Sequence, residues 1–212
     1  KSKNGKLFQV EFQSNVYPVD NEKVIQCNIR DITAHKQAQE ALLKNILSIS
    51  LQPVRDPLTG LFNRNYMEET LRRELLRASR TAFTISIIMM DVDDFQQFNY
   101  TWGHAAGDLI LEGLSNLMLK NFRGEDIPSR YGGDEFAIVL PGAPRLVAYK
   151  RAKLICEYAK HLQLKFEGQI LDSVTFSLGV VSFPEHGSAS VEVLRAANDA
   201  LDRAKHERHG RT

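Results

Sequence analysis

Two groups of carboxylates hold most of the chemical promise of this sequence. Asp91 ends an apolar run, ISIIMM, with Asp93 and Asp94 close behind it, and Asp134 and Glu135 follow Gly132 and Gly133 within SRYGGDEFAIVLPG, residues 129–142. A turn uses glycine, but it has no use for paired acids. An acid at the end of a buried strand is costly unless a positive charge meets it. Either feature alone has an ordinary explanation, as a solvated strand end or a common hairpin tip. Brought together on neighbouring strands, the two groups repel one another until a cation neutralises them. Hard oxygen ligands suit Mg2+ or Mn2+, and Mg2+ held by carboxylates usually shares its shell with phosphates. The glycines then clear side chains from the place where a phosphate-bearing ligand approaches the backbone.

That convergence requires a particular order of elements, and the apolar pattern after Pro57 supplies one. NRNYMEETLRRELLRAS places Met67, Leu71, Leu75 and Ala78 on one helical face. FTISIIMMDVD reads as a central strand covered on both faces. HAAGDLILEGLSNLMLKNF is a second helix, followed by paired strands around Gly132 and Gly133 and by the helix APRLVAYKRAKLICEYAKHL. ILDSVTFSLGVVSF is a strand with alternation at Val174, Phe176, Leu178 and Val180, and ASVEVLRAANDALDRAKHE is the last helix. The order β-α-β-β-α-β with added helices predicts an α+β fold, a ferredoxin-like, antiparallel-centred sheet flanked by helices. In that sheet Asp91 meets Asp134 and Glu135 across neighbouring strands.

Upstream, residues 1–34 read as a strand pair. Phe8, Val10 and Phe12 alternate with polar residues, Val24, Cys27 and Ile29 mark a second strand, and DNEK between them is turn chemistry. Two strands cannot bury a core alone. Residues 35–54 read as a helix and linker, capped by Asp31 or Thr33 and ended by Pro53. Its stripe of Ala38, Leu42, Ile46 and Ile49 suits packing on its own domain or a two-chain coiled coil. Residues 55–212 form the main domain.

With 43% hydrophobic and 25% charged residues, the chain is globular. A formal net charge of +1 without a basic stripe gives no reason to expect a nucleic-acid partner. Cys27 and Cys156 are far apart and outside any CxxC, which points to reduced thiols of a cytoplasmic protein rather than a disulfide or zinc. No apolar run reaches bilayer length and no signal peptide is visible. The chain lacks an initiator Met and stops abruptly at RHGRT, so it reads as a piece of a longer protein whose membrane association stays open.

The motifs together resemble the GGDEF family, the diguanylate cyclases, whose signature is spelled by Gly132 to Phe136. DPLTGLFNR (Asp56–Arg64), DVDDFQQFN (Asp91–Asn99), GHAAGD (Gly103–Asp108) and TFSLGV (Thr175–Val180) sit at family spacing, and the resemblance runs from about residue 54 to the C-terminus. It implies a nucleotidyl-cyclase-type fold that binds GTP with Mg2+ or Mn2+ and, as a homodimer of half-sites, makes cyclic di-GMP and pyrophosphate. By resemblance, Asp91 and the Val92 carbonyl hold metal, Asp134 holds metal and acts as base for the ribose 3′-hydroxyl, and Glu135 supports the metal. Asn99 and Asp108 read guanine, His104 contacts nucleotide, Gly132 and Gly133 face phosphate, and Lys205 contacts phosphate. Arg123 and Asp126, from RGED just ahead of the signature, match an allosteric site for cyclic di-GMP.

The sequence also departs from the family. Gln96 and Tyr100 stand where the family commonly has Lys and Asp, Asn198 and Asp202 replace Asp and Tyr, and His209 replaces an Arg, with Arg208 and Arg211 nearby. Fewer cations around a triphosphate weaken its neutralisation. Two rivals to the cyclase therefore stand beside it. One is a catalytically silent domain that binds GTP or cyclic di-GMP as a regulatory module, and the other is a scaffold without nucleotide. Residues 1–34, ending in RDIT, resemble the closing strands of a PAS sensor domain, with the following helix as a signalling helix that joins two cyclase domains.

Overall fold

The computed structural model describes residues 9–19, 22–38, 54–81 and 83–209, and the chain forms two compact units, 1–52 and 53–212. In the first, β1 (Val10–Val19) and β2 (Glu22–Asp31) pair antiparallel, with Phe12 opposite Ile29 and Val16 opposite Ile25. Alternation puts these apolar residues in one exposed row, in which Ile25 rather than Val24 continues the line from Cys27 and Ile29. A helix opens at 33 and is described through 38 (α1). The two expected caps cooperate at its start: Asp31 Oδ1 accepts from the Thr33 amide at 2.9 Å, and Thr33 Oγ1 accepts from the Gln9 amide at 2.9 Å. Phe8 and the rest of the expected helix, including Leu42, Ile46 and Ile49, lie outside the described residues.

In the second unit the elements follow as β3 (Phe62–Asn63), α2 (Arg64–Thr81), β4 (Ile85–Val92), α3 (Phe95–Trp102), α4 (His104–Asn121), β5 (Ile127–Gly132) and β6 (Glu135–Pro141). Then come α5 (Arg145–Lys160), a two-residue pair β7 (Lys165–Phe166) and β8 (Gln169–Ile170), β9 (Phe176–Phe183) and α6 (Ser190–His209). The sheet order is β3-β5-β6-β4-β9, with β4 antiparallel to both neighbours and β3 parallel to β5. This is the α+β, ferredoxin-like arrangement, with an extra short strand at one edge.

The central strand explains the unbroken run ISIIMM. Ile85, Ile87 and Met89 meet α2 and α6 through Met67, Leu71, Leu75, Val193, Ala197 and Leu201. Ile88 and Met90, on the other face, join Ile110, Leu114, Ala152 and Ile155 of α4 and α5. A strand buried on both faces has no polar face to show. Cys156 belongs to this second cluster, where burial pushes its thiol up to about 11, an unreactive state.

Gly179 controls how close α6 comes to the sheet. A Cβ there would lie 2.6 Å from both the Ala197 carbonyl oxygen and the Leu201 amide nitrogen, so only glycine lets the helix backbone rest on β9. The strand expected from Ile170 begins only at Phe176; Leu171 and Val174 are buried but lie in coil. Among the described residues no helix is long and apolar enough to cross a membrane.

Candidate active site

The ends of β4 and β6 bring the two acidic groups together. Asp91 pairs across the sheet with Glu135 on one side and with Ser177 on the other. The Val92 amide donates to the Asp134 carbonyl at 3.3 Å, joining the strand end to the turn that carries the signature. In that turn Gly132 pairs with Glu135, and Gly133 has a φ of 51°, which favours glycine. Gly132 has no such demand. A Cβ at either position would meet no protein atom within 4 Å, so the space above the turn is open. Asp91, Val92, Gln96, Asp134 and Lys205 line one cavity of about 560 Å³.

Lys205 reaches this cavity along a straight stripe. Val193, Ala197 and Leu201 of α6 are buried against the sheet, and Lys205, one further turn along the same face, passes the strand end. Its Nζ lies 2.8 Å from Asp91 Oδ2, with the two side chains 34% and 14% exposed. Even so, the Asp91 carboxyl is held above its ordinary range: burial raises it, the charges of Asp134 and Asp93 add to this, and Lys205 only partly opposes them. Glu135 is raised as well, by burial first and then by Asp91 and Asp134. For Lys205, burial lowers the ammonium, but the bond to Asp91 and the surrounding acids outweigh it and raise it.

These carboxylates suit a hard divalent ion by their chemistry. Crowded acids whose protonation is favoured by mutual repulsion are relieved by such a cation. Among the described residues, no three acidic, imidazole or thiol groups are already gathered around one point. Lys205 Nζ instead lies against Asp91 Oδ2.

Three supporting residues, Arg130, Asp56 and Asp93, were given no individual role from the sequence. Arg130 NH1 donates to Asp56 Oδ1 at 3.2 Å, and its Nε donates to the Gly133 carbonyl at 2.9 Å. A register shift between Arg130 and Gly132 bends the strand at this point. Asp93 is buried, accepting from Ser177 Oγ at 2.6 Å and from Thr175 Oγ1 at 2.5 Å, while its amide donates to the Thr175 carbonyl at 2.9 Å. It thus fixes the peptide that follows Val92. Nothing in the sequence signals the first link, because Arg130 and Asp56 lie 74 residues apart in the chain.

The remaining expected site residues are placed elsewhere. Asn99 ends up against Gly107, where a Cβ would come within 2.0 Å of its Oδ1, and that oxygen is buried without a hydrogen-bond partner. Asp108 and His104, at the start of α4, are exposed beside it and do not line the carboxylate cavity. Arg123 and Asp126 share one turn, but they do not present a common face. Asp126 Oδ2 accepts from the Arg123 amide at 2.7 Å and from Arg151 NH1 at 2.9 Å, with its side chain 2% exposed. Asp126 Oδ2 is thus engaged within the protein. The Arg123 guanidinium is exposed. The side chains of Arg208 and His209, and Arg211, lie outside the described residues. A larger groove of about 700 Å³, between α2 and α6, carries Arg64, Arg195, Glu68 and Asp199 and none of the signature acids.

Comparison with known proteins follows this geometry. The family described as "Diguanylate cyclase, GGDEF domain" matches residues 54–211. Diguanylate cyclase DosC of Escherichia coli K12 is 36% identical over 156 residues, covering 74% of this chain and 33% of DosC. Response regulator PleD of Caulobacter vibrioides is 33% identical over 165 residues, 77% of this chain and 36% of PleD. The chain thus spans about a third of the length of these curated relatives. Among solved structures, the GGDEF domain of DgcB from Caulobacter crescentus, in complex with c-di-GMP, superposes with a TM-score of 0.70 at 27% identity, covering 74% of this chain and 92% of that one. With the fold, the signature turn and the match over residues 54–211 in agreement, this chain belongs to the GGDEF, diguanylate cyclase domain, family.

Proposed function

We propose that the chain is a diguanylate cyclase module that joins two GTP molecules into cyclic di-GMP. The observation that carries this reading is the shared cavity of Asp91, Asp134 and Lys205 beneath the open Gly132–Gly133 turn. Asp91, Asp134, Glu135 and the Val92 carbonyl would hold Mg2+ or Mn2+, which when bound lowers the pKa of a ribose hydroxyl and neutralises phosphate charge. Asp134 accepts the 3′-hydroxyl proton as that oxygen bonds to the α-phosphorus of the other GTP; the α–β bridging bond breaks, and pyrophosphate leaves. The step occurs once in each direction to close the ring. One chain holds one GTP, so two chains face each other, brought together by the helix that begins at α1. Asn99 and Asp108 select guanine, since a carboxylate accepts from N1–H and the exocyclic amine, a pair adenine lacks. His104 makes a further nucleotide contact, and Arg123 offers cyclic di-GMP a planar donor fork at a separate inhibitory site. Residues 1–34 act as the closing strands of a PAS sensor and residues 35–54 as its signalling helix, with the Asp31–Thr33 cap near the junction.

A second reading, a catalytically silent domain that binds GTP or cyclic di-GMP, is favoured by one observation. Gln96 is exposed at the cavity where the family's Lys would stand, and among the described residues Lys205 is the one cation of its lining. Incubating the protein with GTP and Mg2+ and resolving the products separates the two. Cyclic di-GMP supports the cyclase; unchanged GTP together with a raised melting temperature supports the silent module.

A further inference from the structure

Among the described residues, the cavity beside the signature turn carries four aspartates, Asp91, Asp93, Asp94 and Asp134, and one cation, Lys205. That lysine is not directed at open solvent. Its Nζ sits 2.8 Å from Asp91 Oδ2, on a side chain delivered by the buried stripe Val193, Ala197 and Leu201 and by the close approach that Gly179 permits. An ammonium in contact with Asp91 competes with a divalent ion for that carboxylate, because a singly and a doubly charged cation a few ångströms apart repel strongly in a partly buried site. A lysine head on a flexible four-carbon stem can swing away at little cost once something else attracts it.

We infer that Lys205 is a resident counter-ion which a divalent metal must displace from Asp91, and that this exchange releases the lysine toward the phosphates arriving with the metal. The inference rests on the GTP reading only for what the freed lysine meets. The exchange gives Lys205 two successive partners. Before ligand binds, it neutralises Asp91 and keeps the carboxylates from driving one another apart. After ligand binds, its charge is spent on the triphosphate, whose cradle otherwise has a glutamine at 96. Metal and nucleotide then favour each other's binding, since the metal evicts the lysine and the phosphates reward its eviction; the coupling is reciprocal by thermodynamic linkage. Metal alone binds weakly because it must break the ion pair without that reward.

The test is a titration of Mn2+ into nucleotide-free protein, with free Mn2+ read by electron paramagnetic resonance. Wild type, Lys205→Met, Lys205→Arg and Asp91→Asn are compared, and thermal melts confirm that each is folded. The expected result is that Lys205→Met binds Mn2+ more tightly than wild type, by about 5- to 20-fold, in the usual range of coupling between two ligands. Lys205→Arg, which keeps the charge, should stay within about twofold of wild type on the same scale. Asp91→Asn should lose the binding. Equal or weaker Mn2+ binding by Lys205→Met, or Mn2+ binding by neither protein at Asp91, overturns the inference. The titration contains no GTP, so its outcome is separate from turnover. A wild-type protein that makes no cyclic di-GMP, alongside a Lys205→Met variant that binds Mn2+ more tightly, would sink the cyclase reading and leave the exchange standing.

Discussion

Arg130 donates its Nε to the carbonyl oxygen of Gly133 at 2.9 Å, and so holds the residue just before Asp134 by its backbone. The same guanidinium reaches Asp56, at the start of the domain, with both side chains 19% exposed. Asp56 in turn accepts from the amide and hydroxyl of Thr59 at 2.9 and 2.7 Å. The signature turn is thereby strapped to the segment through which the chain arrives.

Asp56→Asn is expected to destabilise the domain by about 1.5–3 kcal/mol, the usual scale for hydrogen bonds to a charged group. Burial pushes the Asp56 carboxyl up, but the Thr59 bonds and Arg130 outweigh it and hold the group below the ordinary aspartate range. A depressed folded value means that the stabilisation is complete above about pH 4, the ordinary aspartate value, and is lost as pH falls through the folded value. Urea melts at pH 7 and pH 3 should therefore show a smaller difference between variant and wild type at the lower pH. A constant difference would remove Asp56 from the acid response.

Gly179→Ala should cost about 1–3 kcal/mol, the usual overpacking penalty, since its methyl would meet the backbone of α6 rather than a movable side chain. It should also draw Lys205 off Asp91. Unchanged stability in chemical denaturation would mean that α6 is not seated as described.

Much of this was legible in the sequence. The run ISIIMM announced a strand covered twice, and Met67, Leu71, Leu75 and Ala78 named the buried face of α2, because apolar periodicity is a local record of burial. The facing of Asp91 and Glu135 followed from the order of elements. What stayed hidden depends on contacts between distant segments. Lys205 and Asp91 are far apart in the chain, and only the angle at which α6 lies on Gly179 brings them together. Nothing in RGED reveals that Arg151, on α5, donates to Asp126 Oδ2. Leu171 and Val174 read as strand because burial of a loop leaves the same apolar mark.

Base selection gives a third expectation. Asp108→Ala should weaken GTP binding by at least tenfold while leaving Mn2+ binding near wild type, because Asp108 lies outside the carboxylate cavity. Gly107→Ala should do the same by displacing Asn99, whose Oδ1 occupies the space a Cβ needs. Equal affinity of the unaltered protein for ATP and GTP, measured by calorimetry, would contradict both assignments.

Gln96→Lys restores a cation to the lining of the cavity. Charge-assisted contacts to phosphate are among the stronger hydrogen bonds, so GTP should bind about 5- to 10-fold tighter, with a steeper loss in salt. An unaltered GTP affinity would show that position 96 does not face the triphosphate.

If Arg123 serves the proposed inhibitory site, Arg123→Ala should abolish tight binding of cyclic di-GMP and relieve product inhibition, as its guanidinium is exposed on that turn. Asp126→Asn should act mainly through stability, because its carboxylate pairs with Arg151. An unchanged cyclic di-GMP isotherm in Arg123→Ala would return RGED to an ordinary solvated loop.

The central claim is that the carboxylates at the signature turn perform phosphoryl transfer on GTP. The most direct measurement is pyrophosphate release from GTP and Mg2+ by wild type and by Asp134→Asn, with cyclic di-GMP resolved from the same reactions. Asparagine keeps the shape of the turn and removes the charge and the proton acceptor. Wild type is expected to give both products, and the variant at least a hundredfold less, in line with removal of a general base, with melting temperatures that agree. Wild-type turnover by Asp134→Asn would contradict it.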